Sequence, residues 1–162
     1  MPKIIKDSQV VNDDWLIVEG TETSIPEGVS LLLPFTLWQT HNDTLTHRKD
    51  IGVWFDSEEM PTTEHADALN ALPLIAIRFP VFTDGRGLSI ARLLRERFNY
   101  TGELRAFGYV LRDQLCYMKR CGFNSFVLQE HANIEAAAES LRDFTEFYQT
   151  SVDQPIPLFR RQ

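Results

Sequence analysis

Between residues 30 and 129, short apolar runs alternate with segments in which apolar side chains recur every three or four positions. The runs at 30–33 (SLLL), 52–55 (GVWF), 74–79 (LIAIRF), 103–107 (ELRAF) and 125–129 (SFVLQ) are predicted strands. Those at 74–79 and 125–129 are nearly continuous in apolar residues, as expected of strands covered on both faces. The segments 35–48, 63–72, 87–98, 110–121 and 134–148 carry the helical period. In the third, Gly87, Ile90, Ala91, Leu94 and Phe98 share one face, with Ser89, Arg92 and Glu96 opposite, so that helix packs on a sheet. Helix ends agree: Thr63 precedes an acidic first turn, Gly122 follows Lys119 and Arg120, and Asn133 stands ready to cap at Ile134.

Such alternation is the signature of βα units. The pattern therefore predicts an α/β fold with a mainly parallel sheet of four or five strands and flanking helices. Either an open, doubly wound sheet or one curved like half of a β/α barrel satisfies it. Two short strands at 3–6 and 15–19, followed by the turn-rich TETSIPEGVS, are expected to form an antiparallel N-terminal appendage. The tail DQPIPLFRRQ, with two prolines, is expected to be extended.

Composition narrows the function classes. A chain of 162 residues, 43% hydrophobic and 24% charged, is expected to form one domain over 1–162. No apolar run approaches the roughly 18 residues of a membrane span, and the N-terminal stretch has no secretory core, so a cytoplasmic protein is expected. Cys116 and Cys121 lie on different sides of one predicted helix, and His41, His47, His65 and His131 are scattered. No disulfide and no metal site are expected from those spacings. The net charge of −7 argues against nucleic acid as a partner. From Asp84 to Cys121, however, eight basic residues face four acidic ones. That local surplus suits an anion or an acidic partner surface, although each Arg also fits the solvated face of an amphipathic helix.

The stretch FPVFTDGRGLSIARLLRERF concentrates the candidate chemistry. Ligands of parallel α/β folds sit beyond the carboxyl ends of the strands, where the loop after residue 79 emerges. There Thr83, Asp84, Gly85, Arg86 and Gly87 combine permissive backbone, a cation and the start of a helix. The next loop adds Arg112, Asp113 and Gln114, with Arg105 in the strand before them, so the two loops are expected to border one depression for a small anion or a partner. The alternative is a tight turn in which Asp84 caps the helix and Arg86 pairs with a neighbouring carboxylate. No GxxxxGK[ST], GxGxxG or GxSxG pattern is present, so the sequence designates no cofactor and no catalytic residue. Cys116, with Arg112 and Arg120 four residues away on either side, reads either as an activated thiol or as a small buried apolar residue.

The ordered series FTDGRG, ARLLRER, GELRA, LRDQL and RCGF, extended upstream by SLLLPFTLW and IGVWF, resembles a bacterial family of unknown function, DUF934. That resemblance implies a nominal oxidoreductase label and a genomic setting beside sulfite or nitrite reductases of assimilatory sulfur metabolism. It designates no catalytic residue. Gly108-Tyr109-Val110 stands where the family pattern is Gly-Asp-Val, which removes a carboxylate from the second loop. Two classes follow: an accessory protein of sulfite reduction whose rim binds an anion or docks on sulfite reductase, or an enzyme in its own right with an unrecognised cofactor or a reactive thiol.

Overall fold

The structure, a computed structural model, describes residues 2–20, 25–45 and 47–161. The chain opens with a hairpin, β1 (Lys3–Lys6) and β2 (Gln9–Asn12), closed by Asp7 and Ser8. Both turn residues have positive φ, 49° and 63°, the backbone that a two-residue hairpin loop needs to match strand twist. Next comes β3 (Leu16–Ile17), and then β4 (Leu31–Pro34), β5 (Ile51–Phe55), β6 (Leu74–Phe79), β7 (Glu103–Gly108) and β8 (Ser125–Phe126). The helices are α1 (Phe35–Leu45), α2 (Ala66–Asn70), α3 (Arg86–Arg92), α4 (Leu115–Cys121) and α5 (Ile134–Ser140). Among the described residues no helix is long and apolar enough to cross a membrane.

The strands form one eight-stranded sheet in the order β2-β1-β8-β7-β6-β5-β4-β3. From β3 to β8 neighbours in sequence are neighbours in space and all pairs are parallel, so the strand order never reverses. That settles the choice left open by the pattern in favour of the curled, half-barrel form. All five predicted central strands are present, but the sheet is larger than four or five. The difference lies at the N-terminus: 15–19 does not pair with 3–6, but contributes β3, which runs parallel to β4 at the far edge. The hairpin partner of β1 is β2, too short for its alternation to register, and β1 itself extends the sheet antiparallel to β8.

Residues 13–15 therefore connect opposite edges of one sheet. Eight strands spaced about 4.8 Å apart would, if flat, separate the outer two by roughly 34 Å. Four residue steps reach at most about 14 Å. Only a strongly curled sheet brings β2 and β3 within that reach. Curling creates an outer face, covered by the helices, and an inner one. Leu31, Leu33, Val53, Phe55, Ile75, Ile77, Leu104 and Ala106 join Trp38, Leu69, Ile90, Leu94, Leu115 and Met118 in the outer core. On the inner face Leu32, Trp54, Leu74, Ala76 and Phe107 pack together, with Trp15 and Val127 beside them.

Gly52 shows how tight the curl is. A Cβ there would lie 2.8 Å from the Leu74 carbonyl oxygen and 2.9 Å from Leu32 Cδ1. Gly52→Ala is expected to destabilise by about 1–3 kcal/mol through overpacking against backbone that cannot yield. A urea melt showing no change would mean that the inner layer has slack.

Helix ends differ from expectation where tertiary contacts intervene. The predicted 63–72 and 110–121 helices begin as 3-10 turns at Thr63–His65 and Arg112–Gln114, and α3 runs on into a π-helical turn, Leu93–Arg97. α1 stops at Leu45 rather than 48, where Arg48 turns to Asp50 (2.7 Å) and the Pro26 carbonyl (2.8 Å). α5 stops at Ser140 rather than 148. Arg120 of α4 donates to the Gln149 carbonyl and stacks 4.0 Å from the Phe147 ring centroid, which draws the chain back over α4. The tail, expected extended, ends in a 3-10 turn at Leu158–Arg160. Strand β8 ends at Phe126 rather than 129, as Gln129 turns its side-chain amide to the Gly108 carbonyl. Of the predicted turn segment 21–30, positions 21–24 lie outside the described residues.

Candidate functional site

The loops after β6 and β7 leave the sheet side by side, because Phe79 and Gly108 are register partners. Tyr109 N–H donates to the Phe79 carbonyl at 2.7 Å. Gly108 has φ +91°, and a Cβ there would fall 2.5 Å from the Phe79 oxygen, so this crossing admits only glycine. Gln114 then clips the loops together: its Nε2 donates to the Phe82 carbonyl (2.8 Å) and its Oε1 accepts from Leu111 N–H (3.2 Å). Phe82 and Tyr109 meet with ring centroids 6.0 Å apart. The result is a fixed ridge on which Val81, Phe82 and Tyr109 remain 51%, 54% and 45% exposed.

The charges around that ridge are engaged with one another. Arg86 donates from Nε to Asp84 Oδ1 (3.0 Å) and from Nη2 to Asp84 Oδ2 (2.7 Å). Its Nη1 reaches Glu58 Oε1 (3.1 Å) and its Nη2 also lies 3.3 Å from Ser57 Oγ. Asp84 accepts in addition from the Arg86 backbone N–H (3.1 Å), which orders the first turn of α3. The hydrogen bonds from Arg86, then the Ser57 hydroxyl, hold the Asp84 carboxyl well below the usual carboxylate range, and Asp84 and Glu58 push the Arg86 guanidinium up. An anion arriving at Arg86 meets two carboxylates already bound. Thr83 and Gly85 are exposed beside this pair, and Gly87 is buried where α3 crosses β6, its Cβ position 2.9 Å from Ile77 Cγ2.

Of the other predicted site residues, Gln114 joins the rim, while Arg112 and Asp113 look the other way. They line a depression of about 380 Å³ with Cys116, Ser140, Asp143 and Phe144. Cys116 is partly buried and Cys121 buried, where burial raises the latter's thiol pKa. Among the described residues, no three His, Cys, Asp or Glu side chains are grouped to hold a metal ion.

Arg105, expected on the rim, is instead in the middle of β7 and only 1% exposed on the inner face. Alternation is the reason: Leu104 and Ala106 face the helices, so Glu103, Arg105 and Phe107 face inward. Its register neighbours are Ala76 and Ser125, small enough to leave room for a guanidinium. Arg105 Nε and Nη2 donate to Glu103 Oε1 (3.1 and 2.8 Å) and Nη1 to Asp13 Oδ2 (3.0 Å). Lys6 Nζ lies 2.6 Å from the other Glu103 oxygen. Burial opposes ionisation of Glu103, but the Arg105 charge and the Lys6 contact outweigh it and hold its carboxyl below the ordinary value. A chain of alternating charge, Lys6, Glu103, Arg105, Asp13, thus crosses three strands and ends in the connection between the sheet edges.

Residues 52–159 match the profile of a family described as bacterial protein of unknown function, DUF934. This chain belongs to that family. The DUF934 match contains the whole rim, from Ser57 to Gln114, and also Glu103 and Arg105 of the interior cluster. Lys6 and Asp13, which complete the cluster, precede it. No curated protein matches the chain. Sequence reasoning picked out Asp84, Arg86 and Gln114 but missed the Ser57 and Glu58 partners of Arg86, the aromatic ridge, and the roles of Lys6, Asp13 and Glu103. The period-two reading of ELRAF was the available signal for Glu103 and Arg105, since it puts two opposite charges on one strand face.

Proposed function

We propose that this DUF934 protein is a non-catalytic accessory of assimilatory sulfite reduction that docks on sulfite reductase through the rim of residues 81–86 together with Tyr109 and Gln114. The observation that carries the docking is the ridge of Val81, Phe82 and Tyr109, apolar, exposed and held in place by Gln114. Aromatic side chains that are rigid before binding contribute area at little entropic cost, which is what anchors of protein interfaces do. The neighbouring charges satisfy each other, so Arg86 acts as a clasp between the β5 and β6 loops, keeping Asp84 and Glu58 oriented at the edge of the contact. This favours a partner surface over a free anion as the occupant of the rim. The sulfur assignment comes from the genomic setting of the family.

Phe82→Ser/Tyr109→Ser should weaken binding to purified sulfite reductase at least about tenfold, as loss of two interface anchors does, while leaving the melting temperature within a few degrees. In a deletion strain with sulfate as sole sulfur source, the double variant should fail to restore growth at equal protein level, and cysteine should rescue. Normal growth of the deletion strain on sulfate would remove the sulfur assignment. Full binding and complementation by the double variant would remove the docking site.

A further inference from the structure

We infer that the inner-face charge cluster is the floor of a binding site for a small zwitterion of the α-amino acid class. Arg105 and Glu103 open into a pocket of about 320 Å³ walled by Lys6, Asn12, Asp13, Asp14 and Trp15. That volume is at the lower end of the roughly 300–1,000 Å³ typical of ligand sites, so the occupant is small. The site is independent of the rim.

The chemistry follows from the hydrogen-bond inventory of Arg105. A guanidinium carries five N–H groups. Glu103 and Asp13 take three of them, through Nε, Nη2 and Nη1. Nη1 lies 3.0 Å from the second Asp13 oxygen as well, which leaves one hydrogen on Nη2 with no protein acceptor among the described residues, although the side chain is 1% exposed. Buried N–H groups rarely go without partners, so an acceptor from outside, a carboxylate above all, fits here. Lys6, half-exposed on the pocket wall with one of its ammonium contacts on Glu103, adds a second cation.

The same pocket would not favour a simple anion. Asp13 and Glu103 are both buried in its floor, and the exposed Asp14 adds a further carboxylate at its mouth. An anion near Arg105 meets these charges as well as the cations, and a lone cation meets Arg105 and Lys6. A molecule with a carboxylate and an ammonium on adjacent atoms satisfies both sets: carboxylate towards Arg105 and Lys6, ammonium towards Asp13 and Asp14. Ile4, Val11 and the Trp15 ring supply an apolar wall for a short side chain.

The test titrates the full chain with L-alanine, with propionate and with propylamine, read by the Trp15 indole N–H and the Arg105 Nε–H resonances and by calorimetry. Alanine should saturate these shifts with a Kd between about 10 μM and 5 mM, and the two half-ligands should bind at least about tenfold more weakly. Asp14→Asn and Lys6→Met, both at solvent-accessible wall positions, should each weaken alanine about fivefold or more without moving the indole shift of the free protein far from its wild-type position. These two variants keep the test valid if substitution of Arg105 unfolds the chain. Absence of saturable shifts up to about 50 mM alanine would overturn the proposal, as would propionate binding as tightly as alanine, or wild-type alanine affinity in both wall variants.

Discussion

Arg105→Ala is expected to lower the unfolding free energy by about 3–5 kcal/mol at neutral pH, the effect of stripping one partner from a buried ion pair. The loss is large because two carboxylates depend on one guanidinium. Glu103 loses its guanidinium and keeps Lys6, and Asp13 loses its inward partner altogether. Acid should shrink the effect, and the sign follows from the wild-type Glu103 pKa. That pKa is depressed in the folded chain, so its share of stability is complete above the ordinary value of about 4.3 and disappears as pH falls through the folded value. Burial is already the largest single influence on Glu103, so removal of Arg105 should let its pKa rise from the depressed wild-type position. The variant should then lose less stability than wild type as pH falls. Urea melts at pH 7 and pH 4 measure both limbs. A pH-independent difference between the two proteins would show that the pair is not what holds β7 to the N-terminal segment.

The second large effect is expected at Arg95, in the π-helical turn that continues α3. Its Nε donates to the Gly122 carbonyl (2.9 Å), and its Nη1 to the carbonyls of Tyr100 (2.6 Å) and Gly102 (2.9 Å). The guanidinium also sits 5.4 Å from the Tyr100 ring centroid. One side chain therefore closes two loops at the N-terminal ends of β7 and β8. Arg95→Ala should destabilise by about 2–4 kcal/mol, because charged hydrogen bonds are lost and three loop carbonyls must find other donors. Arg95→Lys should recover less than half of that, since a single ammonium cannot span carbonyls set around a planar fork. Recovery of wild-type stability by lysine would mean that charge near Tyr100 matters and the fork does not. Hydrogen exchange at residues 99–103 and 122–124 should accelerate in both variants.

Much of this was legible in the sequence, for reasons that can be traced to particular elements. β4 to β8 and their helices announce themselves because each carries a period of its own, so the parallel core follows from local pattern. The half-barrel does not. Its curl depends on β1 and β2 reaching β8 at one edge while β3 joins β4 at the other, and such pairings leave no trace in a four-residue or two-residue strand. The candidate site divides in the same way. The TDGRG loop is visible as Gly and charge at the end of an apolar strand, and its attachment to the 108–114 loop follows from adjacent strands. That Arg86 would already be held by Glu58 and Ser57 was invisible, because those partners come from a loop 28 and 29 residues away. By charge alone Arg105 reads as a rim residue, and its parity in the strand corrects this. Well inside β7, a side chain whose neighbours Leu104 and Ala106 face the helices has nowhere to go but inward.

The three-residue connection between the edges of the sheet also imposes a schedule on synthesis. β1 leaves the ribosome about 120 residues ahead of its partner β8, a delay of roughly 6–24 s at ordinary elongation rates. During that interval the hairpin has no sheet to join, and Lys6 and Asp13 remain hydrated. Arg105 and Glu103 emerge almost together on one strand, already able to pair. Closure is therefore the last event, dominated by contacts remote in sequence, and it should be the slow phase of refolding. A nascent chain halted before residue 125 would carry a loose N-terminal hairpin open to proteases, and one released after residue 129 would not.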